Sequence, residues 1–306
     1  MIDLEKAGKK ATGLKDPNKS LYKYKKNGNF NNDRWISRSK FHDFKKCPKC
    51  FYLEVIKGFK PPGMPQFTMN SKTDELLKKE FDFCREKEIS HKFLVEKKLE
   101  HIIPYRNNEI AKNIYGKVIE KSKTGEPYKV MEAWRSNYHG VQARFKKEDI
   151  VLYGSVDDIW LDTKNNKFII VDYKSQANKK SVSQDTYFEG DYKSGYQTQL
   201  DFYAYLLKAQ NLKEVSDDAY LYVVNARGLE QEFDNKLLFE PTLIHTKIKT
   251  DYLENEIQNM IDIMNSTKIP DSNKSCNNCA YARQRSKTDR TGQWRGKNYM
   301  KLMNVI

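Results

Sequence analysis

The stretch GSVDDIWLDTKNNKFIIVDYKSQ, residues 154–176, contains two apolar runs with acids at their ends. The second run, residues 168–171, closes on Asp172, Tyr173 and Lys174. Burying either charge unpaired costs several kcal/mol, so the two either cap a strand end or share a site. Side chains alternate along a strand, which puts Ile170, Asp172 and Lys174 on one face and Val171 and Tyr173 on the other. A hairpin turning through residues 162–166 brings Asp157 of the first run near Asp172. Facing carboxylates repel unless a divalent cation lies between them. Oxygen ligands on a rigid sheet suit Mg²⁺ or Mn²⁺. Lys174 beside them can orient an attacking water and stabilise negative charge on a phosphate. Metal, water and lysine together would hydrolyse a phosphodiester.

A second group of candidate ligands is Cys47-x-x-Cys50 and Cys276-x-x-Cys279. Each spacing lets two thiolates reach one ion, and the two pairs complete a four-sulfur shell. The chain shows no apolar signal-peptide core and no run of about 18 apolar residues, which points to the cytoplasm and away from a membrane. In that reducing compartment the cysteines are expected to be ligands or buried thiols, with Cys84 a buried thiol on a helix. His42, His91, His101, His139 and His245 have no ligand spacing and are expected to be structural or exposed.

The elements that must position these residues follow from periodicity. Residues 1–32, with eight lysines and little apolar pattern, read as a mobile basic tail. The folded part is expected to begin near Trp35, with Ser37 capping a helix that carries Phe41 and Phe44. A second helix is predicted over 71–87, then strands over 95–103, 141–146, 149–155 extended to 161, and 167–174. Tyr196, Leu200, Tyr203 and Leu207 make the apolar stripe of a helix over 193–209. A buried strand over 220–225 and a helix over 251–265 complete a domain expected over 33–285. Residues 286–306 read as a second basic tail. This order implies an α/β fold with a mixed central sheet flanked by helices. The 306 residues carry 55 Lys+Arg against 41 Asp+Glu, a net charge of +14, which favours a polyanionic partner such as nucleic acid.

"GSVDDI" and "VDYKS" resemble the G-x-x-D and D-x-K motifs of the PD-(D/E)XK nuclease superfamily. "YQTQLDFYAYLL" is similar to the Q-x-x-x-Y element of its RecB-like branch, with Gln199 and Tyr203 at the two positions. The resemblance spans roughly residues 35–283 and implies a restriction-endonuclease-like core. RecB-like families usually add a metal ligand, often His or Glu, from a helix upstream of the sheet. The matching helix, FTMNSKTDELLKKEFD, has no histidine, and Asp74 is the candidate in its place, with Glu75 or Glu80 as alternatives. AddB-type and CRISPR-adaptation exonucleases in this branch bind a [4Fe–4S] cluster through cysteines flanking the domain. "KKCPKCFYL" and "CNNCAY" resemble those elements, which implies a cluster stapling the domain's ends. The family places one cysteine before the domain and three after, whereas this chain has two and two, a distribution equally suited to Zn²⁺.

These readings together predict a Mg²⁺- or Mn²⁺-dependent deoxyribonuclease of exonuclease or repair and recombination type. Its expected site is Asp157, Asp172, Lys174, Gln199 and Tyr203, with Asp74 as a further metal ligand. DNA, single-stranded or with free ends, is the expected partner. No Walker-type glycine loop is present, so strand separation would need a helicase or recombination partner. The rival expectation is a non-catalytic nucleic-acid-binding protein on the same fold.

Overall fold

The computed structural model describes residues 33–58, 67–146, 149–189, 191–230, 232 and 234–291, together with a short antiparallel pair, β1 (Lys6–Ala7) and β2 (Lys10–Ala11). The rest of the 1–32 tail and residues 292–306 lie outside the described residues. The chain divides into two compact units. One comprises Met1–Tyr22, Asp43–Gly63 and Asn259–Ile306, the other Lys23–His42 and Met64–Gln258. No helix among the described residues is long and apolar enough to cross a membrane.

In chain order the elements begin with β3 (Arg34–Ser37), α1 (Arg38–Lys46), α2 (Pro48–Val55), α3 (Thr68–Lys87), α4 (Lys92–Glu96), β4 (Ile102–Pro104) and α5 (Val130–Trp134). They continue with β5 (Val141–Arg144), β6 (Ile150–Gly154), β7 (Asp158–Asp162), β8 (Lys167–Ala177), α6 (Asp191–Lys208), β9 (Val215–Ala226), β10 (Phe239–Lys247), α7 (Leu253–Asn265) and α8 (Asn277–Thr291).

The larger unit holds two mixed sheets. Five strands run in the order β10-β9-β8-β7-β4, with β8 and β9 parallel and the other pairs antiparallel. The parallel pair requires a crossover, which α6 supplies. Three strands run β3-β6-β5, with β3 parallel and β5 antiparallel to β6. Helix α6 packs against β5 and β6 of the smaller sheet and against β8 and β9 of the larger one. On the opposite face of the larger sheet, Leu77 and Phe81 of α3 join Leu94, Trp160, Ile169, Val171, Tyr173 and Tyr222 in a buried cluster. Odd-numbered residues of β8 fill that core, which leaves Asp172 and Lys174 on the α6 side, as strand alternation requires.

In the smaller unit, α2 buries Phe51, Tyr52 and Val55. The Phe44 and Phe51 rings meet edge to face, and the Tyr52 hydroxyl donates to the Ser266 carbonyl at 3.0 Å. Asn273 Nδ2 donates to the Lys46 carbonyl at 3.2 Å, joining the Asp43–Gly63 and Asn259–Ile306 segments of this unit.

Four local expectations are corrected. Residues 95–103 are not one strand. The His91 imidazole caps α4 by accepting from the Phe93 amide, and only Ile102–Pro104 pairs, with proline tolerated on an edge strand. Residues 149–161 do not form one extended strand; they split between the two sheets as β6 and β7, and Asp157 lies at the break. Strand β10 was not expected, because its exposed, mixed-polarity face lacks a period-two pattern. The segment after Cys276 is helical through Thr291, overlapping the first residues of the expected 286–306 tail. Its polar surroundings leave no apolar stripe to reveal it.

Candidate active site and cysteine centre

The pairing of Asp158 with Val171, extended by one residue, sets Asp157 opposite Asp172 at the β7–β8 hairpin. Asp157 Oδ2 accepts from the Tyr173 amide at 3.0 Å, and its Oδ1 accepts from Lys78 Nζ at 3.1 Å. Asp172 is fully buried. Its Oδ1 accepts a 2.6 Å bond from Gln199 Nε2, while its Oδ2 pairs with the Lys174 ammonium. Gln199 Nε2 also donates to the Tyr203 hydroxyl at 3.0 Å. Gln199 and Tyr203 lie one turn apart on α6, so a single helix face presents both to the sheet. Lys174 Nζ sits 4.8 Å from the centre of the Tyr196 ring, another residue of that helix.

Gly154, at the end of β6, explains how Tyr203 comes so close. A Cβ at residue 154 would stand 2.8 Å from Tyr203 Cε1, a separation side chains do not tolerate. The glycine of the G-x-x-D stretch thus makes room for the tyrosine of the Q-x-x-x-Y stretch.

The charges in this cluster oppose and support one another. Burial pushes the Asp172 carboxyl up to about 7, with the Asp157 charge adding to the rise and Lys174 opposing it. Burial acts the same way on Asp157, but Lys78 and Lys174 outweigh it and hold its pKa below the usual carboxylate value. Asp74 is raised by burial and by Asp157 even though Lys78 bonds to it. Burial works against the Lys78 and Lys174 ammoniums, yet the surrounding carboxylates keep both raised. The carboxylate oxygens here are hard donors, the kind that divalent cations take, and Lys78 and Lys174 offset part of their charge.

The structure brings together Asp157, Asp172, Lys174, Gln199 and Tyr203. Asp74 joins them through Lys78, whose Nζ lies 2.7 Å from Asp74 Oδ2. The alternatives on α3 point elsewhere: Glu75 pairs with Lys72 and Lys79, and Glu80 with His91. Sequence reasoning missed Lys78. Its only signal was the i, i+4 spacing from Asp74, which surface ion pairs share. Sequence reasoning also left Asp158 without a role. It faces away from the cluster, fully buried, where Arg85 and the Tyr173 hydroxyl bond its two oxygens.

In the smaller unit, the sulfurs of Cys47, Cys50, Cys276 and Cys279 all lie within 4.8 Å of one another. Cys50 Sγ is 3.4 Å from Cys279 Sγ and 3.6 Å from Cys276 Sγ, and Cys47 Sγ is 3.8 Å from Cys279 Sγ. These four thiols could hold a metal ion. The first pair flanks the start of α2 and the second the start of α8. Cys84, buried on α3, is not one of this group.

A family model of the PD-(D/E)XK nuclease superfamily matches residues 36–284. The chain belongs to that superfamily. Its members are typically phosphodiester-hydrolysing nucleases that use divalent metals, so membership implies a nucleic-acid substrate. The match covers the Asp157–Asp172–Lys174 cluster of this PD-(D/E)XK chain and both cysteine pairs. No curated protein matches the sequence.

Proposed function

We propose that the protein is a Mg²⁺- or Mn²⁺-dependent DNA nuclease of the RecB-like branch, acting on ends or single strands in repair or recombination. The observation that carries this reading is the convergence of Asp157, Asp172 and Lys174 with Gln199 and Tyr203. The five come from three motifs, carried on different elements between residues 157 and 203. Asp157 and Asp172 would hold the ion, with Asp74 the acid supplied by the upstream helix. When bound, the ion polarises the phosphate and lowers the pKa of an attacking water. Lys174 orients that water and stabilises the charge that develops on the phosphate oxygens. Gln199 fixes Asp172 through Oδ1, leaving Oδ2 facing Lys174, and Tyr203 fixes Gln199. The nuclease domain would extend over 33–285 with basic arms on either side, 1–32 and 286–306, gripping the backbone.

The sulfur spacing supports zinc in the cysteine centre. Four thiolates bound at about 2.3 Å to one tetrahedral ion stand ~3.8 Å apart, close to the three shortest separations, 3.4, 3.6 and 3.8 Å. A [4Fe–4S] cluster, implied by resemblance to AddB-type exonucleases, needs its thiolates outside the corners of a cube, on the order of 6 Å apart. The three short separations lie nearer the zinc value, which favours zinc over the cluster, and metal analysis tests the choice.

The test is digestion of linear, circular and single-stranded DNA by the full chain with Mg²⁺, Mn²⁺ or EDTA, alongside Asp172→Ala. Metal-dependent cleavage of linear but not circular DNA, lost in the variant, is expected. Binding of DNA with no cleavage under any metal would instead support a non-catalytic DNA-binding protein. Cleavage surviving in Asp172→Ala would overturn the assigned site.

A further inference from the structure

Three acids and two ammoniums meet in the candidate site, and the chemistry assigned above uses only one of the ammoniums. The other belongs to Lys78. A lysine pairing with an acid four residues earlier is ordinary on a helix surface. Lys78 does more, because its Nζ also reaches Asp157 Oδ1 at 3.1 Å, 79 residues along the chain. Its side chain is only 24 % exposed, and burial of an ammonium is tolerated where carboxylates surround it.

With all three carboxylates ionised, as metal binding requires, the charges of the named groups add to −1: Asp74, Asp157 and Asp172 against Lys78 and Lys174. One divalent cation brings that sum to +1, which matches a single phosphodiester charge. A second would bring it to +3, with only one phosphate to offset it. In two-ion sites the ions lie roughly 3.5–4 Å apart, on the attacking and leaving sides of the phosphate. Asp157 lies opposite Asp172 in the hairpin register and contacts the Lys78 ammonium through Oδ1, so it would face the held ion and Lys78 together.

We infer that Lys78 is a built-in substitute for a second metal ion: the site takes one divalent cation, and the Lys78 ammonium, anchored by Asp74 and Asp157, supplies the other positive charge against the phosphate. This rests on the reading of the site as a metal-dependent nuclease.

The test is Mn²⁺ titration of the full chain, followed by calorimetry and electron paramagnetic resonance, with the cysteine centre loaded with zinc beforehand. Thiolates prefer zinc, so Mn²⁺ reports the oxygen site alone. The wild type is expected to bind one Mn²⁺. Lys78→Glu is expected to bind two, with the spin-coupled spectrum of an adjacent pair. Should Lys78→Glu fail to give a cooperative melt, Lys78→Gln serves: loss of the positive charge beside the ion should tighten the first Mn²⁺ by at least about tenfold. Two Mn²⁺ in the wild type, one in a folded Lys78→Glu, or unchanged affinity in Lys78→Gln would each overturn the inference and leave the nuclease reading standing. Absence of Mn²⁺ binding in every form would overturn both.

Discussion

Asp172 is held by partners of two kinds, the Gln199 amide and the Lys174 ammonium, so the two can be tested separately. Lys174→Ala should keep DNA binding and slow cleavage by on the order of a hundred- to a thousand-fold, because it removes an interaction that strengthens only as charge builds on the phosphate. Single-turnover rates at saturating DNA measure this, and a rate within a few-fold of the wild type would remove Lys174 from the chemistry. Gly154→Ala acts indirectly. Its methyl collides with the Tyr203 ring, which displaces Gln199 and then Asp172. It should lower kcat with little change in KM, and pairing it with Tyr203→Ala should recover part of the loss by relieving the collision. Strand alternation and hairpin register were enough to place Asp157 beside Asp172 from the sequence, whereas Gln199 was legible only through its resemblance to the Q-x-x-x-Y element. The sequence assigned no role to the adjacent Asp158, whose partners Arg85 and Tyr173 are set by tertiary packing. Nor could it single out Lys78 among 55 basic residues, since its second partner is set by tertiary packing.

Strands β7 and β8 are fixed to α3 by a buried polar network. Arg85 bonds Asp158 and Asp82, Arg135 bonds Asp82 at 2.6 Å, and the Tyr173 hydroxyl completes the shell of Asp158 at 2.6 Å. Removing one member of a buried ion pair strands the other, so Asp158→Ala should cost about 3–5 kcal/mol. Urea unfolding measures the loss, and a midpoint equal to wild type would show the network to be dispensable. Joining β3 to β5, Asp33 accepts two bonds from Arg144, at 2.8 and 2.7 Å, and one from Tyr115. The Arg144 hydrogen bond leads the interactions that hold the Asp33 carboxyl below its usual pKa, against the opposing effect of burial. A depressed carboxylate stabilises the fold fully above its unfolded value of about 3.9 and loses that contribution as pH falls through the folded value. Arg144→Gln should therefore be clearly less stable than wild type at pH 7, and the gap should narrow below about pH 4. A gap that stays constant across that range would remove Asp33 as its source. At this scale, helices α3 and α6 and strands β8 and β9 could be read from apolar periodicity. Strand β10 and helix α8 could not, because neither presents an apolar face with a regular period.

The net charge of +14 belongs to the whole chain and would act on a nucleic acid as a field. Deleting residues 1–32 removes eight lysines. For each phosphate that those lysines no longer neutralise, the slope of log K against log salt should fall by roughly 0.7–0.9, with cleavage at saturating DNA preserved. Unchanged affinity and slope would mean the segment does not touch DNA. The cysteine centre gives the smaller unit its own test. Stripping its metal, or Cys279→Ser, should lower the melting temperature, since a structural site can contribute on the order of ten kcal/mol where it is unformed without metal. Anaerobically purified protein should be colourless with one zinc per chain; brown protein containing iron would overturn the assignment.

The same centre has a consequence for the order of events during synthesis. Cys50 and Cys276 are 226 residues apart in sequence. A ribosome adding about 5–20 residues per second takes on the order of ten to forty-five seconds to cover that distance. Until the second pair emerges, the first can offer a passing ion only two thiolates. The smaller unit therefore closes late, after every strand of the larger unit has been made.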